Sequence, residues 1–509
     1  MKAMNLFAVE SRVAGVVKTF SLALLFISLL SLTAFGQQTT TGNLNLTVTD
    51  PSGAVVAGAT VTITNMETGA ARTGETNTSG IVDLQTLTPG NYTVTVEAKG
   101  FKKSVSHDII ISVSQTTTVT VPLEVGVQGE TVTVTATQDV INTTTPTVTN
   151  VINTRQVVDL PLAGRNPVDL AGLQAGIAVV GTDVRGSSVS GLRQTAVNLT
   201  QDGINAMDNF VKTSSFFAIT TPSLNSTDEF SVTTGTVGSD SGRGAAQVNL
   251  VTRGGTNDFH GHAFLQIINN WTDSNVWFNQ SIGAAKPILR QHYDGFDIGG
   301  PMYAPKFGEG PDSVWRGKDK AFFFFSYERF VQSDARNRNR TVLSQSALNG
   351  LYTYTPKCPN ADGTNPCAPG IVSGVPRTIN LLTQASVPFH TLNPFMSTHL
   401  AQIPLPNNGT CANSDGPNIS CFQFNANQLT TNDKYVFRYD HQLFKSQSLG
   451  SHKLEFVLSR VITRTFPDVT TNGLEAPFPG GVNGFQASTR NLVTPALVST
   501  FGNNVTNVF

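Results

Sequence analysis

The sequence predicts a mainly β protein in three parts: a small β-sandwich, an α+β domain, and an incomplete antiparallel transmembrane β-barrel. Three observations predict it. Charged residues make up 13% of the 509, about half the ~25% of an average soluble domain, and helix-forming Leu/Glu/Lys blocks are scarce. Apolar residues recur at alternate positions in short runs, separated by Gly, Pro, Asn and Asp. After the N-terminal leader no stretch approaches 18 consecutive apolar residues, so no helix is expected to span a membrane. Barrel strands alternate and escape such a scan.

The leader comes first. Lys2, Arg12 and Lys18 precede an apolar run, Ser21–Phe35, which ends in small residues at Ala34 and Gly36. A basic segment, an apolar segment of about 15 residues and a small-x-small site predict a signal peptide over 1–36. The net charge of −1 gives no long-range pull toward nucleic acid.

Residues 42–123 alternate with period two. Leu44, Leu46 and Val48 lead to the turn Asp50-Pro51-Ser52-Gly53; Val61 and Ile63, then Tyr92, Val94 and Val96, then Ile109, Ile111 and Val113, then Val119, Val121 and Leu123 follow. Turns every 8–15 positions or so make this a β-sandwich, with Tyr92 and Phe101 expected in its core. Residues 124–150 are Thr/Val-rich and read as a strand and then a linker.

Residues 151–256 mix short helices and strands. Asn153 is placed to cap a helix over 154–160 that Pro161 stops. Asn166 with Pro167 starts a second, ended by Gly176, with Leu170, Leu173 and Ile177 on its buried face. From Asp258 onward alternation returns at 258–268, 319–331, 434–444, 453–463 and 493–505. Phe259, Gly261, Ala263, Leu265 and Ile267 share one face. So do Phe323, Phe325 and Tyr327, with Phe324, Ser326 and Glu328 opposite. Residues 332–430 read as a long extracellular loop.

Four cysteines lie in Pro/Asn/Gly-rich sequence, Cys358 with Cys367 and Cys411 with Cys421. Neither pair has Cys-x-x-Cys metal spacing. Two local disulfides are expected, each contributing about 3 kcal/mol through loop closure, although three connectivities are formally open.

The stretch SDSGRGAAQVNLVTRGGTNDFHGHAF, residues 239–264, resembles a phosphate loop only superficially. Its glycines lead into alternating Val248, Leu250 and Thr252, a strand rather than a helix whose N-terminus could hold an anion. His260 and His262 share one side of a strand, but two histidines make a poor metal site. No His-Glu-x-x-His or Gly-x-Ser-x-Gly pattern and no glycosidase-like carboxylate pair is present. No catalytic residue, metal or cofactor is expected, and the chain is read as a non-enzyme.

Several phrases carry a resemblance. DPSGAVVAGATVTITN and TNTSGIVDLQTLTPGNYTVTVEAKGF resemble carboxypeptidase regulatory-like domains, prealbumin-like sandwiches grouped with carbohydrate-binding-like folds. LPLAGRNPVDLAGLQAGI, LRQTAVNLTQDGINAMD, SGRGAAQVNLVTRGGTNDFHGHAF and GGPMYAPKFGEGPDSVWRGKDKAFFFFSYERF follow in that order. Together they resemble Oar-like TonB-dependent outer-membrane receptors. The resemblance implies that 151–256 is a plug, that 257–509 begins the barrel, and that Gly254-Gly255-Thr256-Asn257 is the turn between them. Glu130, Thr131, Val132, Thr133, Val134, Thr135 and Ala136 look like a TonB box, an extended peptide that pairs with the energy transducer. An ordinary edge strand of the sandwich would read the same way. For Arg243 and Arg253 two readings stand: pairing with carboxylates of the inner barrel wall, where a rigid donor fork suits them, or plain solvation.

The implied function is a receptor and transporter of an unidentified nutrient, an oligosaccharide or peptide. Its partners would be TonB, outer-membrane lipid and the extracellular ligand. The implied place is the bacterial outer membrane with the sandwich in the periplasm. The alternative is a surface adhesion or carbohydrate-binding protein whose sandwich carries the function. Such receptors close barrels of about 22 strands, whereas this sequence offers about six to eight, too few to enclose a plug. It therefore reads as an N-terminal portion or truncated form.

Overall fold

The computed structural model describes residues 40–126, 131–133, 137–138, 147–153, 156–157, 162, 164–179, 187–192, 197–207, 218–235, 244, 246–271, 274–275, 277, 280, 286, 289–306, 314–358, 366–384, 393–407, 416–446, 450–467, 484–501 and 505–508. The expected signal peptide lies outside them.

The first unit is a two-sheet sandwich. Its strands are β1 (Gly42–Thr49), β2 (Thr60–Asn65), β3 (Ala71–Glu75), β4 (Ile81–Leu87), β5 (Gly90–Glu97), β6 (Lys103–Ile111), β7 (Thr116–Pro122), β8 (Thr131–Thr133) and β9 (Thr137–Gln138). The sheets run β4-β1-β7-β9 and β3-β2-β5-β6-β8. Alternation sets the packing. Leu44, Leu46 and Val48 are buried while their neighbours are half-buried, and they meet Val61, Ile63, Val94 and Val121 in one apolar core. Tyr92 is buried there, its hydroxyl donating to Thr88 O at 2.6 Å, and Phe101 packs against the same core. The turn after β1 is held by Asp50 Oδ1, which accepts from Ser52 N at 2.9 Å and Ala54 N at 2.8 Å. This is how an Asp side chain substitutes for a backbone turn.

The middle unit contains β10 (Thr147–Ile152), β11 (Ile177–Ala178), β12 (Ser188–Val189), β13 (Val197–Gln201), β14 (Ile204–Asn205), β15 (Thr227–Gly235) and β16 (Ala246–Thr252). Five of them form a sheet ordered β10-β15-β16-β13-β14. Leu199, Phe230, Val232, Val248 and Leu250 make its core with Val157, Leu170 and Leu224. Asn153 and Gln156 cap each other, Gln156 N donating to Asn153 Oδ1 at 3.0 Å and Asn153 N to Gln156 Oε1 at 3.2 Å. That is a capping box; the rest of the expected 154–160 helix, Val157 apart, lies outside the described residues. The second expected helix is a 3₁₀ segment, Pro167–Leu173, whose cap Asn166 accepts from Val168 N. Pro167, Val168, Leu170 and Ala171 are its buried residues, whereas Leu173 is 69% exposed. Leu173 closes the short element and falls off the expected face.

The third unit is a seven-stranded antiparallel wall, in the order β17-β18-β21-β24-β25-β26-β27, and it does not close. The strands are β17 (His260–Asn269), β18 (Leu289–Pro301), β21 (Ala321–Leu343), β24 (Ile419–Ser446), β25 (Gly450–Phe466), β26 (Gln486–Phe501) and β27 (Val505–Val508). Two small hairpins interrupt them: β19 (Tyr303–Pro305) with β20 (Val314–Arg316), and β22 (Leu351–Tyr354) with β23 (Arg377–Asn380). One face carries exposed Phe259, Leu265, Ile267, Phe296 and Ile298; the other buries Phe324, Ser326, Glu328, Lys434, Asp440 and Ser459. Gly255 marks the crossing from the middle unit into the wall. A Cβ there would collide with Phe323 O and Gly300 O, so only glycine fits.

The wall corrects the expected loop. β21 runs on to Leu343 and β24 begins at Ile419, so the loop between them is 344–418 rather than 332–430. Beyond the Leu289–Asp334 and Leu429–Phe466 pairs, 335–343 and 419–427 pair with each other as a projecting two-stranded ribbon. Cys421 is therefore in a strand, opposite Thr341, not in a loop.

Candidate functional site

The middle unit meets the buried face of the wall through charged and polar side chains. Arg165, at φ 45°, sends Nε to Glu328 Oε2 at 3.1 Å and NH2 to Asn225 Oδ1 at 2.7 Å. Its guanidinium also lies 4.0 Å from the Phe264 ring centre, a favourable cation–π placement. The other oxygen of Glu328 faces Lys434 Nζ at 3.0 Å. Asn225 Nδ2 donates to Asp297 Oδ2 at 3.2 Å, and Ser223 Oγ lies 3.2 Å from Ser326 Oγ. Glu328 is fully buried. A carboxylate in that position persists only with paired cations.

A second cluster anchors the last strand of the middle unit. Arg438 Nε and NH2 grip Asp440 at 2.8 and 3.2 Å, a two-pronged geometry that fixes the fork. Its NH1 donates to Thr252 O. Lys453 Nζ reaches Asp440 at 3.5 Å and Glu455 at 2.8 Å. On the other side of Thr252, Asp202 accepts from its N–H at 2.8 Å and its hydroxyl at 2.5 Å. Burial raises the Asp202 carboxyl above its ordinary range, opposed by Arg438 and the Thr252 bonds.

The sandwich docks beneath both. Val113 N donates to Glu229 Oε2 at 2.7 Å, Asn249 Nδ2 to Ser114 Oγ at 2.8 Å, and Gln115 Nε2 to Thr149 O at 3.1 Å. A second sandwich segment, 67–71, contacts the approach to β17 and the end of β24. Asn257 N donates to Glu67 O at 2.9 Å, and Lys445 Nζ to Ala71 O at 2.9 Å. Burial pushes Glu229 up to about 7, with the Val113 N–H opposing and Asp228 adding to the rise. Between sandwich, middle unit and wall lies a cavity of ≈ 1340 Å³, lined among others by Glu67, Arg72, Arg253, His260, Lys320 and Lys453.

The residues singled out in the sequence are distributed unevenly. Arg253 is half-buried in that cavity; its N–H donates to Ser226 O at 2.9 Å and its charge lowers the burial-raised Glu67 carboxyl. Among the described residues the ion pair from the middle unit to a wall carboxylate is made by Arg165, not by Arg253. Arg243 lies outside the described residues. Thr131, Val132 and Thr133 form β8, parallel to Lys103–Val105 at the sandwich edge; Glu130, Val134, Thr135 and Ala136 lie outside. Cys358 and Cys367 are bonded, with Cα atoms 5.1 Å apart. Cys421 is also disulfide-bonded, and Cys411 lies outside the described residues. His262 Nδ1 sits 3.1 Å from Asp297 Oδ1 and His260 Nδ1 3.2 Å from Thr256 Oγ1. No metal-like group of three ligands occurs among the described residues.

Arg165, Glu328, Arg438 and Asp440 were not singled out as a site. A signal existed: Lys434, Arg438 and Asp440 share one strand parity, as do Lys453 and Glu455. Charges repeating at period two in an otherwise aromatic strand mark a face that meets polar groups.

Two family models match. That described as outer membrane beta barrel domain covers residues 251–509, and that described as carboxypeptidase regulatory-like domain covers 43–124. No curated protein matches the chain. Among solved structures, the siderophore receptor PirA from Acinetobacter baumannii is 13% identical over 71% of this chain and 46% of its own, with TM-score 0.31. The ferric enterobactin receptor from Pseudomonas aeruginosa is 9% identical over 71% and 48%, with TM-score 0.30. A minor pilin from Streptococcus agalactiae is 20% identical over 18% and 47%, with TM-score 0.15. The chain thus spans about half the length of these structures.

Proposed function

The chain belongs to the outer membrane β-barrel domain family, whose model matches half its length, and from that premise we propose that it is a TonB-dependent outer-membrane receptor and transporter. In this reading the middle unit is the plug. The wall is the first part of the barrel that holds it, and the sandwich lies on the periplasmic side. One observation carries the reading. The wall turns exposed Phe and Ile side chains outward and an ion-paired face, Glu328 with Lys434, toward Arg165 of the middle unit. An apolar outside and a polar inside is the arrangement a wall needs between lipid and a removable insert.

The chemistry is mechanical rather than covalent. The energy transducer pairs with the segment Glu130–Ala136, pulls, and breaks polar contacts between plug and wall until a path opens. Polar contacts suit this because water can replace each of them. The nutrient is an oligosaccharide or peptide captured by the loops at the far end of the wall.

Cells carrying the gene take up a labelled peptide or oligosaccharide mixture, and a protonophore stops uptake. Deleting 130–136 abolishes both uptake and copurification with the periplasmic domain of TonB. Unchanged uptake and copurification after that deletion would sink the proposal.

A further inference from the structure

Three residues of the segment read as the TonB contact, Thr131–Thr133, are paired into a sheet. Thr131–Thr133 is the outermost strand of β3-β2-β5-β6-β8, and Thr137–Gln138 is the outermost strand of β4-β1-β7-β9. The first pairs in parallel with Lys103–Val105, the second antiparallel to Val119 and Thr120. A single short stretch therefore occupies an edge of each sheet on the side where both would otherwise offer unpaired backbone groups. Open edges invite strand addition, and here they are covered from within the chain.

The covering is weak by construction. β8 shows the burial order exposed, half-buried, exposed, so none of its side chains is buried in the sandwich core. Its hold on β6 is backbone pairing over three residues, and that of β9 on β7 over two. Compare β1, in which every second residue is buried. An edge strand such as β8, with no buried side chain, peels without disturbing the core behind it.

We propose that the sandwich is a strand-storage domain: it competes with the energy transducer for the backbone of residues 131–133, and the transducer takes that strand from the fraction of chains in which it has peeled away. The inference rests on the reading of 130–136 as the transducer contact and adds its regulation. Addition of the transducer along the edge of 131–133 that faces β6 needs the N–H and C=O groups that β6 now holds, so those two pairings exclude each other. The apparent affinity for the transducer is then the intrinsic affinity scaled by the fraction of chains with the strand released.

The test uses the full chain in detergent and the purified periplasmic domain of TonB as probe. Lys103→Cys with Thr131→Cys places a cross-link across the β6–β8 pair. Oxidised, this variant binds the probe at least about tenfold more weakly than the same variant reduced. Thr137→Pro removes an N–H from β9 without touching 130–136, and tightens binding roughly three- to tenfold. Deletion of 130–136 separates the two claims. If the deletion leaves binding intact, the transducer reading itself fails. If it abolishes binding while oxidised and reduced cross-link variants bind alike, or Thr137→Pro changes nothing, strand storage alone is overturned.

Discussion

The sandwich and the middle unit bury their sheets by opposite rules. In β1 alternate residues are buried and all of those in its core are aliphatic: Leu44, Leu46 and Val48. In β16 all seven residues are buried. Val248 and Leu250 face the apolar core, while Gln247 and Asn249 belong to a buried polar layer. That layer is stitched by Asn198 Nδ2 to Gln247 Oε1 at 2.8 Å, Thr200 Oγ1 to Asn249 Oδ1 at 2.6 Å and Thr149 Oγ1 to Thr233 Oγ1 at 2.9 Å. The sandwich turn at 113–115 rests on it. Among the described residues Ser231 Oγ and Gln201 Nε2 are buried without a protein partner. Separating two aliphatic surfaces costs about 25 cal/mol per Å² with nothing returned. Separating a polar layer exchanges each bond for one to water, at a net of about 0.5–1.5 kcal/mol. By this accounting the sandwich core resists separation more than the polar layer does.

The largest effect that would sharpen this contrast is at Glu328. Glu328→Leu strands Arg165 and Lys434 without their shared carboxylate, and losing one partner of a buried pair costs about 3–5 kcal/mol. Leu46→Ala in the sandwich costs about 2–5 kcal/mol through its cavity. The two losses differ in kind. Replacing Arg165, Glu328 and Lys434 together by Met, Leu and Met recovers most of the first, because the charges leave together. No distant substitution recovers the second. Thermal unfolding in detergent, followed separately for the sandwich and the wall, reads both. Failure of the triple variant to regain stability would show that the ion pairs set the geometry of the contact.

The next effect is on pH. Glu229 has a folded value of about 7, raised from 4.5 by burial against the sandwich turn. The docked form therefore holds a proton that the separated form releases between about pH 4.5 and 7. The carboxyl's contribution is fully present below about 4.5 and is lost as pH rises through about 7, up to about 3 kcal/mol in all. Docking of the sandwich on the middle unit weakens over that window, and Glu229→Gln flattens the dependence. Limited proteolysis of the 127–146 connection against pH measures it. A profile that steepens in the Gln variant would assign the titration elsewhere, with Asp202 the first suspect.

Much of the fold was legible, and the boundary of legibility follows the same contrast. The sandwich strands and the wall strands near Phe264, Phe324 and Phe437 announce themselves because one face is apolar and the other is not. The projecting ends of β21 and β24 do not. ARNRNRT, residues 335–341, has no apolar face and reads as loop although its backbone pairs through Leu343. AQVNLVT reads as a half-exposed strand, since alternation cannot tell polar residues in water from polar residues buried against a neighbour. The Arg165–Glu328 pair joins residues 163 positions apart, and no local period reports such a partner. The one local trace was Glu328 itself, a charge following the aromatic run Phe322–Phe325, and it was not singled out.

The smaller effects probe the two interiors one bond at a time. Asn249→Leu leaves the Thr200 hydroxyl and Ser114 Oγ without their common partner. Thr200 keeps only its long bond to Val248 O at 3.5 Å and Ser114 loses its partner in the layer; a lost buried hydrogen bond costs about 1–3 kcal/mol, and the loss should fall mainly on sandwich docking, read by the same proteolysis. Tyr92→Phe in the sandwich removes the hydroxyl that donates to Thr88 O at 2.6 Å but keeps the ring in the core. Its cost is about 1 kcal/mol, and it should appear wholly in sandwich unfolding. If Tyr92→Phe instead loosened docking as much as Asn249→Leu does, the two interiors would be mechanically one. The polar layer could not then be the place where the molecule parts.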